Sequence, residues 1–135
     1  MAKFAATDYV ISINGTSFSN TLNSAELTIE ADDLETTAFG GTFRTRVGGL
    51  KSASVTLNFM QDFASGSVDD TLNGLVGSIA TVVIIPQGTA VSSTNPRYTS
   101  TCLVTQYSPV ASSVGDLATF SVTWPVTGTV TRGTV

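Results

Sequence analysis

The sequence predicts a mainly β protein, a single-domain antiparallel β-sandwich or barrel with one short flanking α-helix and a long inter-subunit loop. Polar and apolar residues alternate in several short runs, which is typical of strands with one buried face. The 135 residues include 22 Thr and 16 Ser, and Thr and Val suit a pleated surface. Turn signals separate the runs, as expected for a small sandwich or barrel. The length fits one domain covering residues 1–135.

Three alternating runs form the first half of the chain. Residues 9–13 predict a first strand, and Asn14-Gly15 predicts a tight hairpin turn because both residues tolerate positive φ. Residues 25–31 predict a strand with one face on the core and one in water, and residues 52–59 repeat this alternation.

The segment between these strands, residues 32–51, shows no clear period and is predicted to be a long loop. Long irregular segments inside a compact domain are usually functional loops or linkers. Phe39 and Phe43 argue against a disordered linker, because such segments are poor in aromatic residues. An apolar loop that a small domain cannot bury is expected to contact another subunit.

The second half of the chain predicts one helix and three further strands. Apolar residues recur at helical spacing over about residues 68–75, and Ser67 is the expected N-cap. The three predicted strands are residues 79–85, 97–107 and 117–124. Residues 126–135 form a tail that either pairs as a further strand or stays loose.

Residue content argues against catalysis and against bound cofactors. The chain has no His, which excludes Ser-His-Asp and Cys-His sites, and its one Cys, Cys102, is expected to be buried. Two acidic clusters lack the spacing of a calcium loop and are interpreted as solvated or helix-capping groups. They are Asp32, Asp33 and Glu35, and Asp62, Asp69 and Asp70. We therefore expect a protein that is not an enzyme and needs no metal or cofactor.

Charge and hydropathy limit the partners and the location. The net charge is −4 and the six Lys and Arg residues are scattered, which disfavours nucleic-acid binding. The first residues lack the apolar core of a signal peptide, and the longest apolar run is too short to span a bilayer. The sequence predicts a protein made in the cytoplasm without a membrane partner.

One stretch resembles phage major tail proteins, the subunits of the tail tube. It runs from Leu34 to Lys51, LETTAFGGTFRTRVGGLK, and continues through the strand at 52–59 to Gln61-Asp62-Phe63. The motif covers about 30 of the 135 residues, and the order of the predicted elements agrees over the rest.

The resemblance implies a structural virion protein that self-assembles into stacked, hexameric rings around a hollow conduit for DNA delivery. The implied partners are further copies of the chain, a tape-measure protein and tail terminator and tip proteins, with DNA passing through unbound. The implied location is the virion tail, with host cytoplasm during assembly. The implied inter-subunit contacts are Phe39, Phe43, Arg44, Arg46 and Leu50, and the candidates for the lumen are Glu26, Glu30 and Asp116.

Two other classes remain open at this point. A capsid decoration protein or immunoglobulin-like virion domain would also be rich in β-structure and Thr, but it would have no use for the long central loop. A soluble carbohydrate-binding or adhesion module should display an exposed aromatic groove.

Overall fold

A computed structural model describes residues 3–135 and shows two antiparallel β-sheets that enclose one apolar core. Strand accounts for 47% of the residues and helix for 4%, which confirms the predicted fold class. The strands are β1 (Val10–Ile13), β2 (Thr16–Ser17), β3 (Leu22–Glu35), β4 (Arg46–Met60), β5 (Ile79–Ile85), β6 (Arg97–Leu103), β7 (Thr119–Pro125) and β8 (Thr131–Gly133). The helix, α1, spans Val68–Leu72.

The two sheets differ in size and in the way they are built. One has five strands in the order β2-β1-β5-β6-β8, and the other has three in the order β3-β4-β7. Both contribute alternate residues to the core, in which Phe59 stacks on Phe120 with ring centroids 5.1 Å apart. The buried Trp124 donates its indole N–H to the Gln106 carbonyl at 3.1 Å, so its polar atom is satisfied. Cys102 is buried as predicted.

The first hairpin turn confirms the prediction at Asn14-Gly15. Both residues have positive φ, 51° and 86°, which is the conformation that a tight hairpin turn requires. The Asn14 side-chain oxygen also accepts a hydrogen bond from the Thr81 backbone N–H at 2.8 Å. The turn is therefore fixed to β5.

The predicted loop at residues 32–51 is wrong at both ends. β3 continues to Glu35 and β4 begins at Arg46, with these two residues paired, so residues 36–45 alone form the connection. A register shift between Ala31 and Asp33 interrupts the alternation. Most side chains beyond this shift are exposed, on both faces of the hairpin. A strand without a buried face needs no alternation of polar and apolar residues, so the sequence does not show these strands.

The predicted helix is too long, because α1 ends at Leu72 and residues 73–77 form turns. Gly77 has a φ of +86° and ties this turn to the Val104 carbonyl at 2.8 Å. Ser67 is the N-cap residue, but its hydroxyl donates to Asp62 at 2.8 Å instead of capping the helix.

The last predicted strands also change. β6 stops at Leu103, and residues 104–118 form an irregular connection to β7. The tail pairs through β8, which lies against β6.

Candidate functional site

The β3–β4 hairpin extends beyond the sandwich as an arm, residues 32–51, that ends in a tip, residues 36–45. Where β4 pairs with β7, from Ser54 onward, the hairpin belongs to the body of the protein. The ladder from Lys51 to Arg46 adds about 17 Å at about 3.4 Å per residue, before the tip begins. The hairpin therefore reaches well past the surface of its own subunit.

Hydrogen bonds across its base hold the tip in shape. Thr36 N–H donates to the Thr45 carbonyl at 2.8 Å, their hydroxyls are 2.8 Å apart, and Thr45 N–H donates to the Thr37 hydroxyl at 3.0 Å. Gly40 takes a φ of +92° and allows the chain to reverse. An ordered tip loses little conformational entropy on binding, because its backbone is already fixed.

The tip presents two aromatic rings to solvent. Phe39 is fully exposed and Phe43 is 84% exposed, so neither ring is covered by its own subunit. Leu50, on the arm, is 83% exposed. Single exposed apolar residues are ordinary, but several on one projecting hairpin form a surface that favours a partner.

The two arginines assigned to the same surface are paired within the chain. Arg44 lies 2.8 Å from Glu35 and Arg46 lies 2.6 Å from Asp33. Exposed ion pairs of this kind contribute about 0–1 kcal/mol to stability. Their main effect is to make the arm nearly neutral, which lowers the cost of removing it from water.

A set of half-exposed aliphatic side chains on this hairpin was not predicted. Leu34 lies directly opposite Val47, and both are 52% exposed. Ile29, predicted to face the core, is also 52% exposed because the cover of the sandwich ends near Leu27. The alternation of residues 25–31 correctly predicts which side of β3 faces the other sheet, but it cannot show where that sheet ends.

The outer face of the three-stranded sheet is polar and contains two of the three acidic lumen candidates. Glu26 lies beside Thr56, which lies beside Thr123, and the two threonine hydroxyls are 3.2 Å apart. Glu30 lies opposite Ser52 on the same face. The buried strand residues alternate with these, so the polar face points away from the core.

Five of the six Lys and Arg residues lie away from this polar face in the described part of the chain. Arg44 and Arg46 are paired on the arm, and Lys51 lies opposite Ala31, on the side of β3 that Leu27 shares. Arg97 and Arg132 belong to the five-stranded sheet. Glu26 and Glu30 therefore give the polar face of the sandwich body a negative charge.

Asp116 does not join the other two lumen candidates. It lies in the connection before β7, at the end of the three-stranded sheet opposite the arm, because β7 starts where Thr119 pairs with Met60. Around it this connection exposes Val110, Val114 and Leu117, and Phe63 is 64% exposed just after the end of β4. We call these four apolar residues the loop end; sequence patterns did not single it out as a surface.

A hydrogen-bond network holds the start of this connection, at Tyr107 and Pro109, against α1 and the end of β4. The Tyr107 hydroxyl donates to Asp69 at 2.5 Å, and Gln61 donates to both the Tyr107 oxygen and the Pro109 carbonyl. Burial, and then the bond to Asp69, raises the pKa of Tyr107. The Ala64 N–H and the Ser67 hydroxyl lower the pKa of Asp62, which lies in the same region.

The edge of β3 is free along its length. Within residues 3–135, β3 pairs with β4 alone, leaving the backbone groups on its other side without strand partners. Free edges invite pairing with another chain unless charges, bulges or a cover protect them. Glu26 and Glu30 give β3 some protection.

The described residues offer neither a metal site nor a membrane-spanning helix. Residues 3–135 contain no group of three or more His, Cys, Asp or Glu side chains placed to hold a metal ion. None of the helices in this range is long and apolar enough to cross a membrane.

Comparison with known proteins gives matches in structure alone. No protein-family model matches the chain, and a search of curated proteins gave no match. A chain in the virion of a native gene transfer agent particle is similar with a TM-score of 0.75 and 14% identity, covering 96% of this chain and 98% of that one. A chain in the tail of an empty gene transfer agent particle, determined with helical refinement and C6 symmetry, gives 0.74 and 15% with the same coverage. The protein therefore has, over nearly its whole length, the fold of a chain from a gene transfer agent tail.

Proposed function

We propose that this chain is a structural subunit of a phage-type tail tube, which assembles into stacked hexameric rings around a conduit for DNA. The observation that carries the proposal is the likeness to a chain of a C6-symmetric tail, which extends over 96% of this chain. The proposed role is structural and requires no catalytic residue. The proposed location is the virion, after assembly in the host cytoplasm.

The surfaces of the chain favour assembly with further copies of the same chain. An isolated subunit leaves the β3 edge unpaired and exposes the apolar side chains of the arm to water. Neighbouring copies can pair the edge and bury these side chains. Only 12% of the residues are charged, which gives a lone domain little protection against association. In the proposed rings, neighbouring copies cover the β3 edges, and the arm carrying Phe39, Phe43, Arg44, Arg46 and Leu50 reaches the adjacent ring.

The polar face supplies the proposed wall of the conduit. A channel that conducts DNA should repel phosphate groups, and Glu26 and Glu30 give this face the required negative charge. The short hydroxyl-bearing side chains around them leave the wall uncharged elsewhere. Asp116 lies outside this face, so we place it at the end of the subunit and not in the lumen wall.

The proposed partners follow from the tube. Further copies of this chain form the rings, a tape-measure protein lies in the conduit before DNA enters, and terminator and tip proteins close the ends. DNA passes through without specific binding.

Electron microscopy of the concentrated, purified protein tests the assembly. We expect rings or hollow tubes with sixfold symmetry. A protein that stays monomeric at millimolar concentration would refute the proposal.

Labelling of assembled tubes tests the orientation of the polar face. Thr123→Cys places a thiol on that face, and Thr81→Cys places one on the exposed face of the other sheet. In tubes, we expect a small maleimide to modify both, while a bulky polymer-linked maleimide modifies the Thr81→Cys variant alone. Equal modification of both by the bulky reagent would show that the polar face does not line the conduit.

A further inference from the structure

We infer that the tip of the arm in one copy binds the loop end of a copy in the next ring. This inference rests on the proposed function and identifies the receiving surface, which the proposal leaves open. The partner is a second copy of this chain, and the contact is between two different surfaces.

The position of the two surfaces favours this pairing. The arm leaves one end of the three-stranded sheet, and the loop end lies at its other end, where Thr119 pairs with Met60. Head-to-tail association brings unlike surfaces together and repeats without closing when the subunits are stacked along an axis. Stacked copies with a common direction therefore place the arm of one ring against the loop end of the next.

The two surfaces are both apolar. Each is an exposed apolar group in an otherwise small, polar segment: two phenylalanines on the tip, and Phe63 with Val110, Val114 and Leu117 on the loop end. Arg44 is already paired with Glu35 of its own chain at 2.8 Å, so the contact depends on the apolar side chains. Contact between the two apolar groups removes both from water and leaves the polar residues around them at the rim.

Hydrogen bonds also hold the tip, and the start of the connection that carries the loop end, before the surfaces meet. The tip is braced by the Thr36–Thr45 bonds, and the connection that carries most of the loop end is tied at Tyr107 and Pro109 to Asp69 and Gln61. Surfaces that are ordered in advance lose less entropy on association.

A double-mutant cycle tests the contact through the critical concentration for polymerisation. We expect Phe43→Ala and Val114→Ala each to raise it by about tenfold to a hundredfold, because each removes buried apolar area from the same contact. If the residues touch, the double variant should raise it much less than the product of the two single effects. An effect equal to the product, or no effect of Val114→Ala, would overturn the inference.

A cross-linking experiment keeps the test valid if the variants fail to polymerise. Thr42→Cys in the tip and Ser113→Cys, next to Val114 of the loop end, leave every apolar residue of both surfaces intact, and the native Cys102 is buried. Polymers mixed from the two variants, one with a size tag, should give a mixed disulfide dimer on mild oxidation. Thr42→Cys mixed with Thr81→Cys is the control and should give none.

The outcomes separate the inference from the proposed function. Tubes that give no mixed dimer, or that give as much dimer in the Thr81→Cys control, would refute the contact between tip and loop end. The proposed tube function would still stand. Failure of the wild-type chain to form rings or tubes would refute both.

Discussion

Removing the two exposed phenylalanines of the tip should abolish assembly at ordinary concentration while leaving the fold unchanged. Phe39 is fully exposed and Phe43 is 84% exposed, so Phe39→Ala/Phe43→Ala should change the free energy of unfolding of the dispersed subunit by less than about 0.5 kcal/mol. Burial of a Phe side chain contributes about 1.5–3 kcal/mol, so two rings contribute about 3–6 kcal/mol to each inter-ring contact. At about 1.4 kcal/mol for each tenfold change, the critical concentration should rise about 10²- to 10⁴-fold.

Sedimentation over a range of concentrations measures the critical concentration, and denaturant unfolding of the dispersed protein measures stability. Thr42→Ala is the matched control, because it alters the same tip and keeps both rings. Polymerisation of the double variant at the wild-type concentration would refute the role of the rings in assembly. A large fall in the unfolding midpoint would show that the rings support their own subunit instead.

Three further predictions concern the subunit itself. Asn95 is buried and its side chain bonds both the N–H and the carbonyl of Gln87, so Asn95→Ala should lower the free energy of unfolding by about 1–3 kcal/mol; an unchanged denaturation midpoint would contradict this. Because the pKa of Tyr107 is raised in the folded state by burial and by Asp69, its contribution to stability is fully present below the unfolded pKa of about 10 and is lost as pH rises through the folded pKa. Tyr107→Phe should remove that part of the alkaline loss, and an identical pH profile would exclude the linkage. Burial raises the pKa of Cys102, so a thiol reagent should react slowly with native protein and rapidly in urea; fast reaction of the native thiol would disprove its burial.

The sequence predicted the body of the fold well because its strands have one face on a core. Residues 52–59 alternate cleanly, and Val55, Leu57 and Phe59 are all buried. The turn at Asn14-Gly15 was predictable for a local reason, since the positive φ values are a property of those two residues. Where one face of a strand is buried, the polar and apolar alternation in the sequence agrees with the structure.

The arm could not be predicted in the same way because nothing in the chain buries it. Its strands run to Glu35 and from Arg46, yet exposure on both faces and a register shift after Ala31 remove the alternation. The aromatic residues drew attention to the segment without revealing that it is a hairpin. The loop end was missed because a group of exposed Val and Leu residues in an irregular connection has no period at all.

Amide hydrogen exchange of β3 in dispersed and assembled protein tests the central claim most directly, because the claim requires other copies to cover that free edge. Exchange at the β3 amides that do not bond to β4 should be fast in the dispersed subunit and strongly slowed in the assembled state, while the core strand β5 stays protected in both. Equal, fast exchange of those β3 amides in both states would contradict the account.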